Sequence, residues 1–374
     1  MAEALLCPLT VALSSVLTLS WLERHGAARP ERSLESVAVI MRGDHVEREL
    51  WDELSDELAH MSAEHAVSPH LIFLTATETA RGYASRERSV LARELPGLLT
   101  SERQLPASIR TDALLHIVRT LNADPTVQAI SIHLPLPSAV DAPRVFAALC
   151  AEKDAQGLGA LNYRELCLKL GRPIAVPPIA AAVLEALRRG TVALEGRRAV
   201  VLGRSSTVGG PIAQLLMRSN ATVTVVTSFT PAADVPAIVR SADVLVATTN
   251  VPNSVRGAWL KRGVAVIDVG KGGAGSERAP TGTPKLGDVR LDEAMTVASF
   301  VAPSPNGVER LLLPMLARNV LDCTRASLDE LLPELIEQPS AAGSHSFSSP
   351  LASPEWKFRQ RLEVGRAESG ADCT

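Results

Sequence analysis

Between residues 199 and 269, four short apolar runs alternate with stretches of helical character, and no other feature limits the possible folds as strongly. The runs are AVVL at 199–202, TVTVV at 222–226, VLVA at 244–247 and VAVIDV at 264–269. Helices are expected between them, at 211–218 and 232–240. Strands that are apolar on both faces must be covered on both faces, and helical crossovers make them parallel. The sequence therefore predicts an α/β chain with a Rossmann-like nucleotide-binding domain over 161–305. A shorter alternation precedes it. Val46, Leu50, Leu54, Leu58 and Met61 recur at helical spacing, with Glu47, Glu49, Asp52, Glu53 and Asp56 on the other face. LIFL at 71–74 and AISI at 129–132 read as buried strands, with a helix through 83–95 between them. Pro135 and Pro137 stop the second strand. This pattern predicts a three-layer βαβ domain over 37–160.

Composition narrows the function. A chain of 374 residues accommodates two such domains. Lys+Arg 38 against Asp+Glu 41 gives a net charge of -3 without a basic block, which argues against a nucleic-acid partner. Aromatic residues at 3% leave little for base stacking. Cys7, Cys150, Cys167, Cys323 and Cys373 are scattered, so neither a disulfide framework nor a metal site is expected. No membrane partner is expected either.

The two ends read differently from the middle. Residues 4–22 are mostly apolar and are followed by Arg24, Arg29 and Arg32. Over 1–36 two readings stand, a mitochondrial leader or a helix packed on the first domain of a cytoplasmic protein. The charge order is wrong for a secretory signal, and Glu23, Glu31 and Glu35 are unusual in a transit peptide. Residues 338–374 are rich in Ser, Pro and small side chains without apolar periodicity, which predicts a disordered tail.

The strongest local chemistry follows the first strand of the second half. Gly203-Arg204-Ser205-Ser206-Thr207-Val208-Gly209-Gly210-Pro211 joins it to a helix. Glycines let the backbone approach a pyrophosphate, and the helix N-terminus offers free N–H groups. The next strand ends at Val226, Thr227 and Ser228, with no acid to grip a ribose 2′-hydroxyl. Arg204 is placed to pair with a 2′-phosphate instead, which favours NADP over NAD.

Several ordered segments together resemble the bifunctional methylenetetrahydrofolate dehydrogenase/cyclohydrolase family. They are Tyr83 in a Tyr-x-x-x-Lys-type helix, Leu134-Pro135-Leu136-Pro137, and Lys153-Asp154-x-x-Gly157. Val201-Leu202-Gly203-Arg204-Ser205 with Val208, Gly209 and Pro211 follows, then Val266-Ile267-Asp268-Val269-Gly270. Gly287-Asp288-Val289 and Pro303-x-Pro305-x-Gly307-Val308 complete the set, which spans about 38–325. The resemblance implies a folate domain, an NADP-binding domain, and C-terminal helices over 306–337 that return to the first domain. It further implies a folate substrate and a dimer, either with itself or with an active relative. Site residues carried over are Tyr83, Glu87, His133 and Gln156 for catalysis. Gly203, Arg204, Ser205, Val208, Gly209, Ser228 and Lys271 are carried over for the cofactor. Ile132, Leu134, Pro305, Asn306, Gly307 and Val308 join Tyr83, Glu87 and His133 along the folate.

The chain departs from the family at these same positions. Glu87 stands where the family has Lys, His133 where it has Gln, and Gln156 where it has Asp. Thr227-Ser228-Phe229-Thr230 replaces His-Ser-Arg-Thr, Lys271-Gly272 replaces Ile-Asn, and Ile179 replaces Thr. A carboxylate cannot donate a proton as an ammonium can, so the cyclohydrolase step is expected to be weakened or lost. Hydride transfer leans on cofactor and folate and is expected to outlast it. Two further readings stay open: a rewired Glu87–His133–Tyr83 set, and an inactive relative kept as a binding or assembly subunit.

Overall fold

The computed structural model describes residues 38–168, 171–270 and 286–335. The expected leader, the expected tail and Lys271 therefore lie outside the described residues. In chain order the elements are β1 (Val39–Ile40), α1 (Gly43–His65), β2 (His70–Thr75), α2 (Glu78–Glu94), β3 (Leu99–Gln104), α3 (Thr111–Asn122) and β4 (Ala129–Ile132). Then come α4 (Ala142–Ala147), α5 (Ala160–Leu168), α6 (Pro178–Arg189), β5 (Arg198–Leu202), α7 (Gly209–Arg218) and β6 (Thr222–Val226). The last are α8 (Val235–Arg240), β7 (Val244–Ala247), β8 (Ala265–Asp268), α9 (Leu291–Met295), β9 (Phe300–Ala302) and α10 (Leu312–Leu335).

Two parallel sheets organise these elements. The larger runs β1-β9-β8-β7-β5-β6, and the smaller runs β3-β2-β4. Strand period sorts the side chains of the larger sheet. Ala199, Val201, Val244, Val246, Ala265 and Ile267 enter one core, which α6 and α7 cover. Val200, Leu202, Leu245, Ala247 and Val266 enter the core on the opposite face. Both faces are buried, as the uninterrupted apolar runs predict.

The smaller sheet is also a middle layer. Leu71 and Phe73 of β2 pack with Trp51, Leu54 and Leu58 of α1, Leu91 of α2, and Leu316, Val320 and Leu321 of α10. Leu74, Ile130 and Ile132 face Leu114, Leu115 and Val118 of α3 on the other side. The C-terminal helix thus does return to the first domain.

Where sequence and structure differ, the reason is exposure. β3 has the sequence LTSERQ and no fully buried side chain, because it is the edge of its sheet. β1 is two residues long and exposed, yet Val39 and Ile40 pair in parallel with Phe300 and Val301. Residues 39–40, placed by sequence in the first domain's span, therefore extend the second domain's sheet.

Candidate active site

Ligands of parallel α/β sheets bind beyond the carboxyl ends of the strands. In the smaller sheet those ends are Thr75 of β2 and Ile132 of β4. Thr77 caps α2, accepting from the Ala80 N–H at 3.2 Å, and its hydroxyl donates to the Pro135 carbonyl at 3.1 Å. The start of α2 is thereby tied to the loop after β4, in which the Leu134–Pro135 bond is cis. Ala80, Ala84 and Leu91 form the buried stripe of α2, and Glu87 falls on that same stripe. A carboxylate thus stands where helix geometry shields a side chain from water. Tyr83, one turn earlier, is more exposed, with the Arg86 guanidinium 5.1 Å above its ring.

Glu87 meets His133 on the same wall, where α2 packs beside the end of β4. Glu87 Oε2 and His133 Nε2 lie 3.2 Å apart, with the side chains 17% and 7% exposed. Neither atom makes an aligned hydrogen bond, so the contact is a close approach of a carboxylate and an imidazole rather than a linear bond. The imidazole is held by its surroundings. The His133 backbone N–H donates to Leu74 O at 3.0 Å, and the ring leans on Phe73 with centroids 5.3 Å apart. The neighbouring charges are already matched. Thr75 Oγ1 donates to Glu102 at 2.7 Å, and Arg88 approaches Glu102 at 3.4 Å.

Gln156 lies on the loop between α4 and α5, which bridges to β4 through Asp154 and Ile130. Its Nε2 donates to Ser131 Oγ at 2.8 Å, which leaves the carbonyl Oε1 as the end offered to a ligand. Asp154 shapes this loop, accepting from Leu158 N, Gly159 N and Asn162 Nδ2. Burial pushes the Asp154 carboxyl above the usual carboxylate range, against the pull of those donors. Four sequence-predicted residues, Tyr83, Glu87, His133 and Gln156, are thus carried by three segments: α2, the end of β4 and the loop between α4 and α5. The Ile132 side chain instead enters the core against α3, so it faces the cleft with backbone only. Leu134 is exposed beside it.

The larger sheet carries the second half of the site. Gly203 follows β5 at φ 119°, where a Cβ would lie 2.2 Å from Thr248 Oγ1. A Cβ on Gly209 would lie 2.3 Å from Gly203 O, so the loop closes tightly onto the start of α7. Ser205 Oγ accepts from the Thr207 N–H at 3.3 Å, and Val208 packs into the sheet core. The tight glycine loop lets a pyrophosphate approach the backbone, but the free N–H groups expected at the start of α7 are largely taken: Val208 and Gly210 N–H donate to Ser205 O at 3.2 and 2.9 Å, and Pro211 has none. Arg204 is exposed, and its guanidinium lies 5.9 Å from the Phe229 ring, over the turn that also exposes Ser228. A cation and a hydroxyl therefore stand at the end of β6 where no acid is present.

Carboxylates fix the flanking loops. Asp268 accepts from Gly270 N, Asp288 N and Val289 N, and Asp288 accepts from Thr249 N and Oγ1 and from Asn250 N. Burial pushes Asp268 up to about 6, opposed by those N–H groups and reinforced by the Asp288 charge.

The segment of Pro305, Asn306, Gly307 and Val308 is built into the start of α1. Asn306 O accepts from Gly43 N at 3.0 Å, and Asn306 Oδ1 accepts from Asp44 N at 3.2 Å. Val308 is a core side chain. Sequence reasoning did not single out Ser131, Phe73, Thr248 or Tyr163. Ser131 had a readable signal as the one hydroxyl inside an apolar strand. Tyr163 on α5 had none, since a helix crossing brings its hydroxyl close enough that a Cβ on Gly210 would lie 3.3 Å away.

The comparisons agree with this geometry. Residues 41–156 match the family model for the tetrahydrofolate dehydrogenase/cyclohydrolase catalytic domain, and 177–328 match its NAD(P)-binding domain. The bifunctional protein FolD of Phenylobacterium zucineum is 37% identical over 77% of this chain and 97% of its own. Bifunctional protein FolD 2 of Arabidopsis thaliana is 33% identical over 78% and 96%. The crystal structure of Trypanosoma brucei methylenetetrahydrofolate dehydrogenase-cyclohydrolase, complexed with NADP and an inhibitor, matches with a TM-score of 0.71 at 34% identity, over 79% of this chain and 99% of that one. The chain belongs to the tetrahydrofolate dehydrogenase/cyclohydrolase family.

Proposed function

We propose that this protein is an NADP-dependent 5,10-methylenetetrahydrofolate dehydrogenase whose cyclohydrolase step is weaker than its hydride transfer. The observation that carries the proposal is the contrast within the cleft. The cradle from Gly203 to Gly209 keeps the close approaches that only glycine allows, while the opposite wall presents Glu87 against His133. NADP fits the residues present. The tight glycine loop from Gly203 to Gly209 would take the pyrophosphate against its backbone, and Arg204 with Ser228 would hold the 2′-phosphate. When bound, NADP accepts the hydride. The chain's own work is to place the folate and exclude water. Tyr83 offers a ring and hydroxyl at the cleft, and Gln156 Oε1 accepts from the pterin. Neutral Gln156 accepts more weakly than a carboxylate, so the folate KM is expected to be high for the family.

Pairing through the cofactor domain is proposed as well, with a second copy or with an active relative, because among the described residues β6 pairs with β5 alone. The compartment, mitochondrial or cytoplasmic, rests on residues 1–36. A second reading, an inactive relative kept for binding or assembly, is favoured by Glu87 and Gln156 alone. One assay separates the two. Methylenetetrahydrofolate is supplied with NADP or NAD, and nicotinamide reduction is followed beside Glu87→Lys. NADP reduction by the native chain supports the dehydrogenase. Silence from the native chain with turnover by the variant leaves a relative inactivated at one position.

A further inference from the structure

The contact between Glu87 and His133 is the least satisfied polar contact in the cleft. Both atoms are shielded from water and lie 3.2 Å apart, and the nearby Arg88, Glu102 and Thr75 are occupied with one another. Arg86 is drawn over Tyr83, and Gln156 Nε2 is held by Ser131. A buried carboxylate beside one ring nitrogen selects the tautomer that carries its proton on that nitrogen. The other nitrogen is then left basic. Here Glu87 faces Nε2, so Nδ1 is the acceptor. The ring rests on Phe73, and the His133 backbone is tied to Leu74 of β2, so its placement does not depend on a bound ligand.

We infer that Glu87 and His133 form a carboxylate–imidazole dyad that serves the residual hydrolysis of the methenyl folate. Glu87 acts as a positioning residue and His133 Nδ1 takes the proton of the attacking water. This deepens the proposed function and rests on it for the identity of the substrate. Water oxygen bonds to the cationic methenyl carbon while one of its protons passes to Nδ1. The carbon–N5 bond then breaks, N5 receives the proton back from the imidazolium, and the hydroxyl proton leaves to solvent as the formyl carbonyl forms. One proton is released overall and no redox partner is needed. A shielded carboxylate also favours a cationic substrate over the neutral methylene form, so the same pair should hold the methenyl form at the site.

The test uses the full chain and synthetic methenyltetrahydrofolate, with NADP reduction from methylenetetrahydrofolate measured on the same preparations. His133→Ala should lower hydrolysis by about a hundredfold or more, the scale of general-base catalysis. Added imidazole should restore part of that rate. Glu87→Gln should lower kcat for hydrolysis with less change in KM, Glu87→Asp should recover part of the loss, and Glu87→Gln should have no further effect in the His133→Ala background. His133→Gln serves as the second variant should the alanine form fail to fold. Hydrolysis by His133→Ala or His133→Gln at the native rate overturns the dyad, as does a folded His133→Ala that imidazole leaves silent. Native NADP reduction with hydrolysis at the buffer rate overturns the dyad and leaves the dehydrogenase reading standing. Failure of both reactions removes the functional reading itself.

Discussion

The two walls of the cleft are built from different materials. The nucleotide wall is backbone: Gly203 and Gly209 pack against Thr248 Oγ1 and Gly203 O at separations that admit no Cβ. The folate wall of the proposed site is side chain: Glu87, His133 and Gln156 hang from α2, the end of β4 and the loop between α4 and α5. A backbone cradle is preserved by any sequence that keeps its glycines and its strand. A side-chain site changes its chemistry with each substitution. On the proposed reading, the glycine loop keeps its close backbone approaches while the side chains facing the folate set the chemistry.

The largest expected effect breaks the backbone side of this comparison. Gly203→Ala places a methyl group against Thr248 at a positive φ, so NADP reduction should fall below detection and the melting temperature should drop, checked by calorimetry with and without NADP. Native-like NADP affinity in this variant would mean that the cradle is not backbone-built. Next in size is the buried pair. Truncating Glu87 or His133 alone to Ala should destabilise by about 2–4 kcal/mol, whereas the double variant should lose less than the sum, as measured by urea unfolding of all four forms. Strict additivity would show that the two residues do not interact.

How much of this was legible beforehand follows from what each residue contributes. The strand at 244–247 ends where its apolar run ends, because burial on both faces leaves no freedom in composition. β3 was not legible, since an edge strand needs no apolar face. Glu87 and His133 could be assigned to one site, but not placed in contact. They are 46 positions apart in the chain, and their approach depends on Thr77 tying α2 to the loop after β4. The positions at 305–308 illustrate the opposite case. Their motif was visible, yet Asn306 is engaged with the start of α1, a relation across the chain that spacing does not encode.

Smaller effects sharpen the nucleotide side. Arg204→Ala should raise the KM for NADP by about tenfold or more and leave NAD nearly unchanged, the signature of a lost charge-assisted contact to a 2′-phosphate. Phe229→Ala should raise it only about two- to fivefold, because an exposed cation–π contact of 5.9 Å steadies Arg204 without touching phosphate. Equal losses for NADP and NAD in either variant would place Arg204 away from the 2′ position.

Asp268 adds a pH dependence to the same wall. Its carboxyl binds a proton more readily in the folded chain, at about 6, than at the ordinary value of 3.8, so its contribution to stability declines as pH rises between those values. The full decline is roughly 3 kcal/mol and is complete above about pH 6. Carboxyl NMR should show two titrations near pH 6, those of Asp268 and the buried Asp322, of which one disappears in Asp268→Asn; an Asp268 midpoint near 4 would contradict it.

The most direct test of the account is a single progress curve with the full chain, methylenetetrahydrofolate and NADP, in which NADPH and the methenyl product are followed together. The account predicts NADPH formation with methenyltetrahydrofolate accumulating behind it, because the backbone wall supports hydride transfer faster than the side-chain wall supports hydrolysis. NADPH formation with no accumulation of the methenyl form would contradict the weakened hydrolytic step. No NADPH above the buffer blank would contradict the dehydrogenase itself.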